Sequence, residues 1–387
     1  MTDSPPKLAT QIRNTCETLA LGIAGGLAVG VTGFPAGWLS GAILVISIAA
    51  IAGRPMTVPS SIARVTYVVM GISLGGTVTP ETVAGMASWP MSIFLLTVAM
   101  VLLTAAVTLY LRLVHKWDIS SALLGSFPGG LATVMVLAIE NNANVRAVAV
   151  VQTVRVVAIA LLLPAGLTAL GLTGVPQFPV HRPPFSAPGE LALLVTVSTS
   201  AAIAAQWLRF PGGLIFGAMV SSAFLHGTGW VTVNLPTWLT LLSFMVLGTI
   251  TGTRFANMDV RTLRHLAAAA FGALVVGLAV AFACAVGAAW LLSLDAGPMT
   301  IAYAPGAIDA MMVLALALNY DAAFVGAHHL SRFVVVLAAM PLVVHIMQRM
   351  SRRAAETDAK DGKDEPAEGD RGELPRPGSQ ETARQEE

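Results

Sequence analysis

The chain has 387 residues, of which 55% are hydrophobic and only 11% charged, for a net charge of +1. A soluble protein of this size carries about 25% charged residues, so the composition excludes an ordinary water-soluble domain. Two cysteines, Cys16 and Cys284, supply neither a disulfide framework nor a metal cluster.

Residues 1–16 are a polar N-terminus that leads into spans without the pattern of a cleavable signal peptide. Apolar segments follow at 17–33, 36–53, 62–79, 91–113, 119–140 and 146–171. Several are long enough to cross a hydrocarbon layer of about 30 Å. A proline-rich linker at 172–188 closes the first membrane unit, 17–171. The second unit, 189–348, holds segments at 189–208, 210–227, 238–256, 266–291, 297–319 and 322–347. The tail, 349–387, is charged and poor in large apolar residues, which predicts disorder.

The two units are copies. Residues 126–164 reappear 177 positions later, with Pro128 on Pro305, Gly129 on Gly306, Asn142 on Asn319, Arg155 on Arg332 and Pro164 on Pro341. FPAGWLSGA at 34–42 returns as FPGGLIFGA at 210–218, and Gly71 and Gly75 fall on Gly248 and Gly252. Equivalent loops carry opposite charge bias. The loop at 80–90 has no Lys or Arg, whereas 254–265 has Arg254, Arg261 and Arg264. Because Lys and Arg are retained in the cytoplasm, opposite bias predicts opposite orientation. Inverted units need an odd number of crossings, so one of six segments in each must fail to cross. The Pro-Gly interrupted segments 119–140 and 297–319 are the candidates, as hairpins of two half-helices. That arrangement has ten crossings and both termini in the cytoplasm; twelve full crossings is the rival. The expected fold is therefore an all-α polytopic membrane protein of two inverted repeats, about five crossings each, with Pro-Gly broken helices.

Broken helices at membrane depth are tolerated where they are enclosed by protein or line an aqueous cavity. The half-helices after Pro128-Gly129-Gly130 and after Pro305-Gly306 would present free amides that suit an anion. Arg155 and Arg332 lie near the bilayer centre, where a guanidinium needs a partner or a cavity. Both could grip an oxyanion, or they could hold backbone carbonyls. Asp309, whose counterpart is Ala132, is either a coupling site for H+ or Na+ or a partner for Arg332. His328 and His329 are either a proton relay or hydrogen-bonded core residues. Asn142 and Asn319 are candidates for ligand contact among turn residues. No cofactor, metal or nucleic-acid motif stands out, and adjacent histidines on a helix point about 100° apart, which disfavours chelation.

The repeated Pro-Gly motif with its trailing arginine, and the GWLSGA and GLIFGA stretches at 37–42 and 213–218, resemble the membrane AbrB family over residues 15–348. The family carries labels of ammonia monooxygenase and of AbrB-type regulator, and it is distinct from the small soluble DNA-binding regulators of the same name. The resemblance implies a duplicated membrane module like that of inverted-repeat secondary transporters. The expected activity is transport of a small anionic organic solute across the bacterial inner membrane by alternating access, and not catalysis. Regulation of gene expression and a membrane monooxygenase are the alternatives, and a homo-oligomer is compatible with the sequence.

Overall fold

A computed structural model describes residues 8–78, 86–128, 131–174, 183–256 and 258–361. The described chain is all-helical. In the first unit the helices are α1 (Leu8–Gly30), α2 (Gly37–Ile51), α3 (Ser60–Gly75), α4 (Trp89–His115), α5 (Ile119–Ser126), α6 (Leu131–Glu140) and α7 (Val145–Ala169). The second unit has α8 (Pro188–Trp207), α9 (Gly213–Gly227), α10 (Thr237–Gly252), α11 (Val260–Leu292), α12 (Ala296–Tyr303), α13 (Ile308–Ala317) and α14 (Ala322–Asp361). Helix α14 continues past residue 348 into the segment expected to be disordered; the tail from 362 lies outside the described residues.

The duplication is visible in the backbone. Helices α3, α5, α6 and α7 start at 60, 119, 131 and 145, and α10, α12, α13 and α14 start 177 residues later. Left-handed residues recur as well. Gly33, Ala36 and Gly53 match Arg209, Gly212 and Gly229, while Lys116 and Asn142 match Ser293 and Asn319. These residues end or begin helices, so the same turns are made twice.

Among the described residues five helices are long and apolar enough to cross a membrane: α4, α7, α8, α10 with its 3-10 extension, and α11. The chain is a multi-pass membrane protein. Phe94, Val98, Val101 and Leu102 on α4, and Phe271, Val275, Phe282 and Val286 on α11, form exposed apolar stripes suited to acyl chains. The opposite face of α11 is a ridge of small residues, including Ala269, Ala273, Gly277, Ala281 and Ala285. Leu103, Val107 and Leu111 of α4 pack in the same cluster as that ridge.

The helices sort into two bundles, each mixing both units. One contains α1, α2, α3, α8, α9 and α10; the other contains α4–α7 and α11–α14. In the first bundle α3 packs on α9 and α10 packs on α2, a reciprocal exchange. Gly71 and Gly75 bring α3 close to Ala218 and Ser222, and Gly248 and Gly252 bring α10 close to Ala42 and Ile46. Small residues four apart permit this approach, which replaces the hydrophobic drive that lipid does not supply. Residue order in these contacts shows α3 parallel to α9 and α10 parallel to α2. The equivalent helices α4 and α11 run antiparallel, since Val107 sits by Gly277 and Tyr110 by Gly272.

Each broken segment folds back on itself. Ser121 near the start of α5 accepts from the backbone N–H of Asn144, just past α6, at 2.7 Å. In the second unit Tyr320, just past α13, lies against Gly297 at the start of α12. A half-helix pair whose outer ends touch is a hairpin, as the interrupted segments predicted.

Candidate functional site

The breaks arise from proline. A residue before proline is pushed out of the helical region, and Phe127 and Ala304 are extended accordingly. The last carbonyls of α5 and α12 then have no partner in their own helices. An arginine from the following long helix supplies it. Arg155 Nη1 donates to Ser126 O at 3.2 Å, and Nη2 donates to Phe127 O at 3.4 Å and to Gln152 Oε1 at 2.6 Å. The Gln152 amide donates to Leu124 O and Phe127 O, both at 2.9 Å. In the second unit Arg332 Nη1 donates to Ala304 O and Nη2 to Gly306 O, each at 2.7 Å. Both arginines are ten residues into their helices, about 15 Å along the axis, and both are buried. Their shared structural task is to cap a half-helix C-terminus, where the dipole favours a cation.

Between the two bundles lies a cavity of about 570 Å³. One bundle contributes Ser60, Arg64, Tyr67, Gln206, Gly212 and Arg254, and the other contributes Pro128, Gln152, Arg155, Pro305, Gly306, Asp309, His329 and Arg332. Four arginines face one carboxylate. Two polar atoms in this wall are buried without a hydrogen-bond partner among the described residues, Nε of Arg155 and Nε2 of His329.

Asp309 occupies the first turn of α13, where the N-terminal dipole favours a carboxylate. Its Oδ2 accepts from the hydroxyl of Tyr67 at 3.2 Å. Arg332 is not its partner: no Arg332 nitrogen lies within ion-pair distance of the Asp309 carboxylate, and among the described residues the ion pair is Arg54–Glu17, at 2.9 Å. The histidines separate in role. His328 Nε2 lies 2.7 Å from Ser92 Oγ and its Nδ1 lies 2.8 Å from Phe324 O, which ties α14 to α4 away from the cavity lining. His329 lines the cavity.

Asn142 and Asn319, candidates for ligand contact, lie apart from this cavity. Both end a half-helix in the left-handed conformation, at φ 52° and 61°, and neither lines the cavity. The amides of Ala143 and Tyr320 close these ends on Ala138 O and Ala315 O, a turn that asparagine tolerates well. Gly129 and Gly130 lie outside the described residues.

A family model described as transition state regulatory protein AbrB matches residues 6–348. The chain belongs to the AbrB family. Among curated relatives, an Escherichia coli (strain K12) protein named "Putative regulator AbrB" is 26% identical over 324 residues, covering 81% of this chain and 90% of that one. A Bacillus subtilis (strain 168) protein named "Uncharacterized protein YhjN" is 25% identical over 356 residues, covering 86% and 92%. No solved structure matches the chain. In this AbrB-family protein the matched region contains both hairpins, both capping arginines and the whole cavity wall.

Tyr67, Gln152 and Gln206, with Arg64 and Arg254, are wall residues that sequence reasoning left out of the site. For Gln152 a signal exists: it is an amide on an apolar helix, one turn before Arg155. Tyr67 and Asp309 are 242 residues apart, and nothing local joins them.

Proposed function

We propose that this AbrB-family protein is a secondary transporter that moves a small anionic organic solute across the inner membrane by alternating access. The observation that carries the reading is a cavity between two bundles, walled by paired broken helices, four arginines and one carboxylate. Sites between paired discontinuous helices are a recurrent transporter design. Antiparallel packing of the equivalent helices α4 and α11 supports inverted repeats, because a two-fold axis in the membrane plane reverses equivalent elements. Arg64 from the start of α3 and Arg254 from beyond the end of α10 meet at one cavity. Retention of Arg on the cytoplasmic side assigns that opening to the cytoplasm, with both termini on the same side.

Alternating access follows from the duplication. The helices within each bundle pack extensively, whereas α2, α3 and α10 supply the main contacts to the other bundle. If the second bundle shifts along the first, the repeat equivalents of the present wall line the opposite opening; Phe244, the equivalent of Tyr67, is now buried. Coupling is assigned to Asp309 and His329. The His329 Nδ1 is 3.1 Å from Val325 O, which places a hydrogen there and leaves Nε2 as an acceptor for a proton.

Reconstituted protein should exchange labelled organic anions across liposomes, and Arg155→Gln or Arg332→Gln should abolish exchange. Unchanged flux in both variants would remove the site. The family description and the Escherichia coli relative's name motivate a second reading, control of gene expression. Expression changes that persist in a transport-dead variant would favour it.

A further inference from the structure

We infer that the transported solute carries two acidic groups, as in a dicarboxylate, one seated at Arg155 and the other held by Arg64 and Arg254 at the entrance. This narrows the anion-transport reading and rests on it. Arg155 is only 7% exposed, and its Nε has no hydrogen-bond partner among the described residues. Its two Nη atoms are already spent on the α5 carbonyls and on Gln152. Arg155 nevertheless lines the cavity and has no carboxylate within ion-pair distance among the described residues, so its charge suits a carboxylate on the solute.

The entrance pair is a separate feature. Arg64 stands one turn before Tyr67 on α3, and Arg254 follows α10, so both belong to the bundle opposite Arg155. Their repeat equivalents are Leu241 and Thr77, so duplication does not account for them. The four arginines of the wall meet one carboxylate, Asp309, which is already engaged by Tyr67. A monoanion at Arg155 leaves the entrance cations unmatched; a second acid on the same molecule meets them. The cavity, about 570 Å³, has room for a compact organic diacid.

The test is thermal stabilisation of the purified full-length protein in detergent at constant ionic strength. The probes are α,ω-dicarboxylates from malonate to adipate, each beside the monocarboxylate of equal length. At one or more lengths the dicarboxylate should act at a concentration about tenfold lower than its monocarboxylate. In the Arg64→Gln/Arg254→Gln double variant that gap should close while monocarboxylate binding persists; Arg155→Gln should weaken both. Equal affinity at every length, or a gap that survives loss of both entrance arginines, overturns the two-acid inference and leaves the anion reading intact. No stabilisation by any acid, with Arg155→Gln monodisperse and indistinguishable from the parent, overturns both.

Discussion

Alanine placed at Gly71 or Gly248 tests the reciprocal packing of the two units. A Cβ at Gly71 would stand 2.6 Å from Ala218 Cβ, and one at Gly248 would stand 2.9 Å from Ala42 Cβ. Carbon atoms rest about 3.5–4.0 Å apart, so each helix pair must separate by about an ångström. The backbone also blocks the new methyl, at Ile215 O in one case and Leu39 O in the other, and backbone cannot swing aside. Overpacking of this kind costs about 1–3 kcal/mol. Gly166 and Gly287 are the controls, because a Cβ there meets nothing within 4 Å. Relief of glycine's backbone entropy should make those two substitutions stabilising by about 0.5–1 kcal/mol. Unfolding of the detergent-solubilised protein by heat or SDS reads all four. The expected order is Gly166→Ala and Gly287→Ala above the parent, with Gly71→Ala and Gly248→Ala below it by similar amounts. A parent-like Gly71→Ala, or a large difference between the matched pair, would refute the reciprocal interface.

Asn142→Ala and Asn319→Ala should each cost about 1–2 kcal/mol of stability, the penalty for a left-handed alanine, while glycine at either site is tolerated; neither should change solute affinity, and a loss of binding at parent-like stability would restore them to the site. Tyr67→Phe removes the hydroxyl that Asp309 accepts and should alter the pH dependence of exchange more than solute affinity; an unchanged pH profile would detach the pair from coupling. Cysteine at Ala63, in the cavity wall, should react with a small polar thiol reagent added from the cavity side, whereas cysteine at Phe244 should be protected until solute turns the carrier over. Constant labelling at both positions with and without solute would argue against alternating access.

Much of this architecture was legible in the chain because duplication writes the same signal twice. The hairpins could be expected from Pro-Gly at 128–129 and 305–306, and the buried cations from Arg155 and Arg332, since few other causes place such residues inside apolar spans. What those arginines do was less legible. A proline break strands carbonyls as well as amides, and the carbonyls claim most of the donors. Asn142 and Asn319 were ambiguous for a related reason, since a recurring polar residue at a helix end looks the same whether it binds solute or turns the chain. The far wall of the cavity was the least accessible. In the sequence Arg64 and Arg254 read as topology signals beside apolar segments, and their convergence on the cavity depends on how α3 and α10 cross.

Each capping arginine serves the hairpin immediately before it in the chain, so neither break borrows its support from the other unit. A half-length ancestor would thus have carried a complete, self-braced hairpin, and two separate copies would have brought two such hairpins to one cavity. Fusion into one polypeptide freed the copies to diverge. Asp309 opposite Ala132, Arg64 opposite Leu241 and Arg254 opposite Thr77 are the places where one chain does what a pair of identical subunits never could: give its two faces different chemistry.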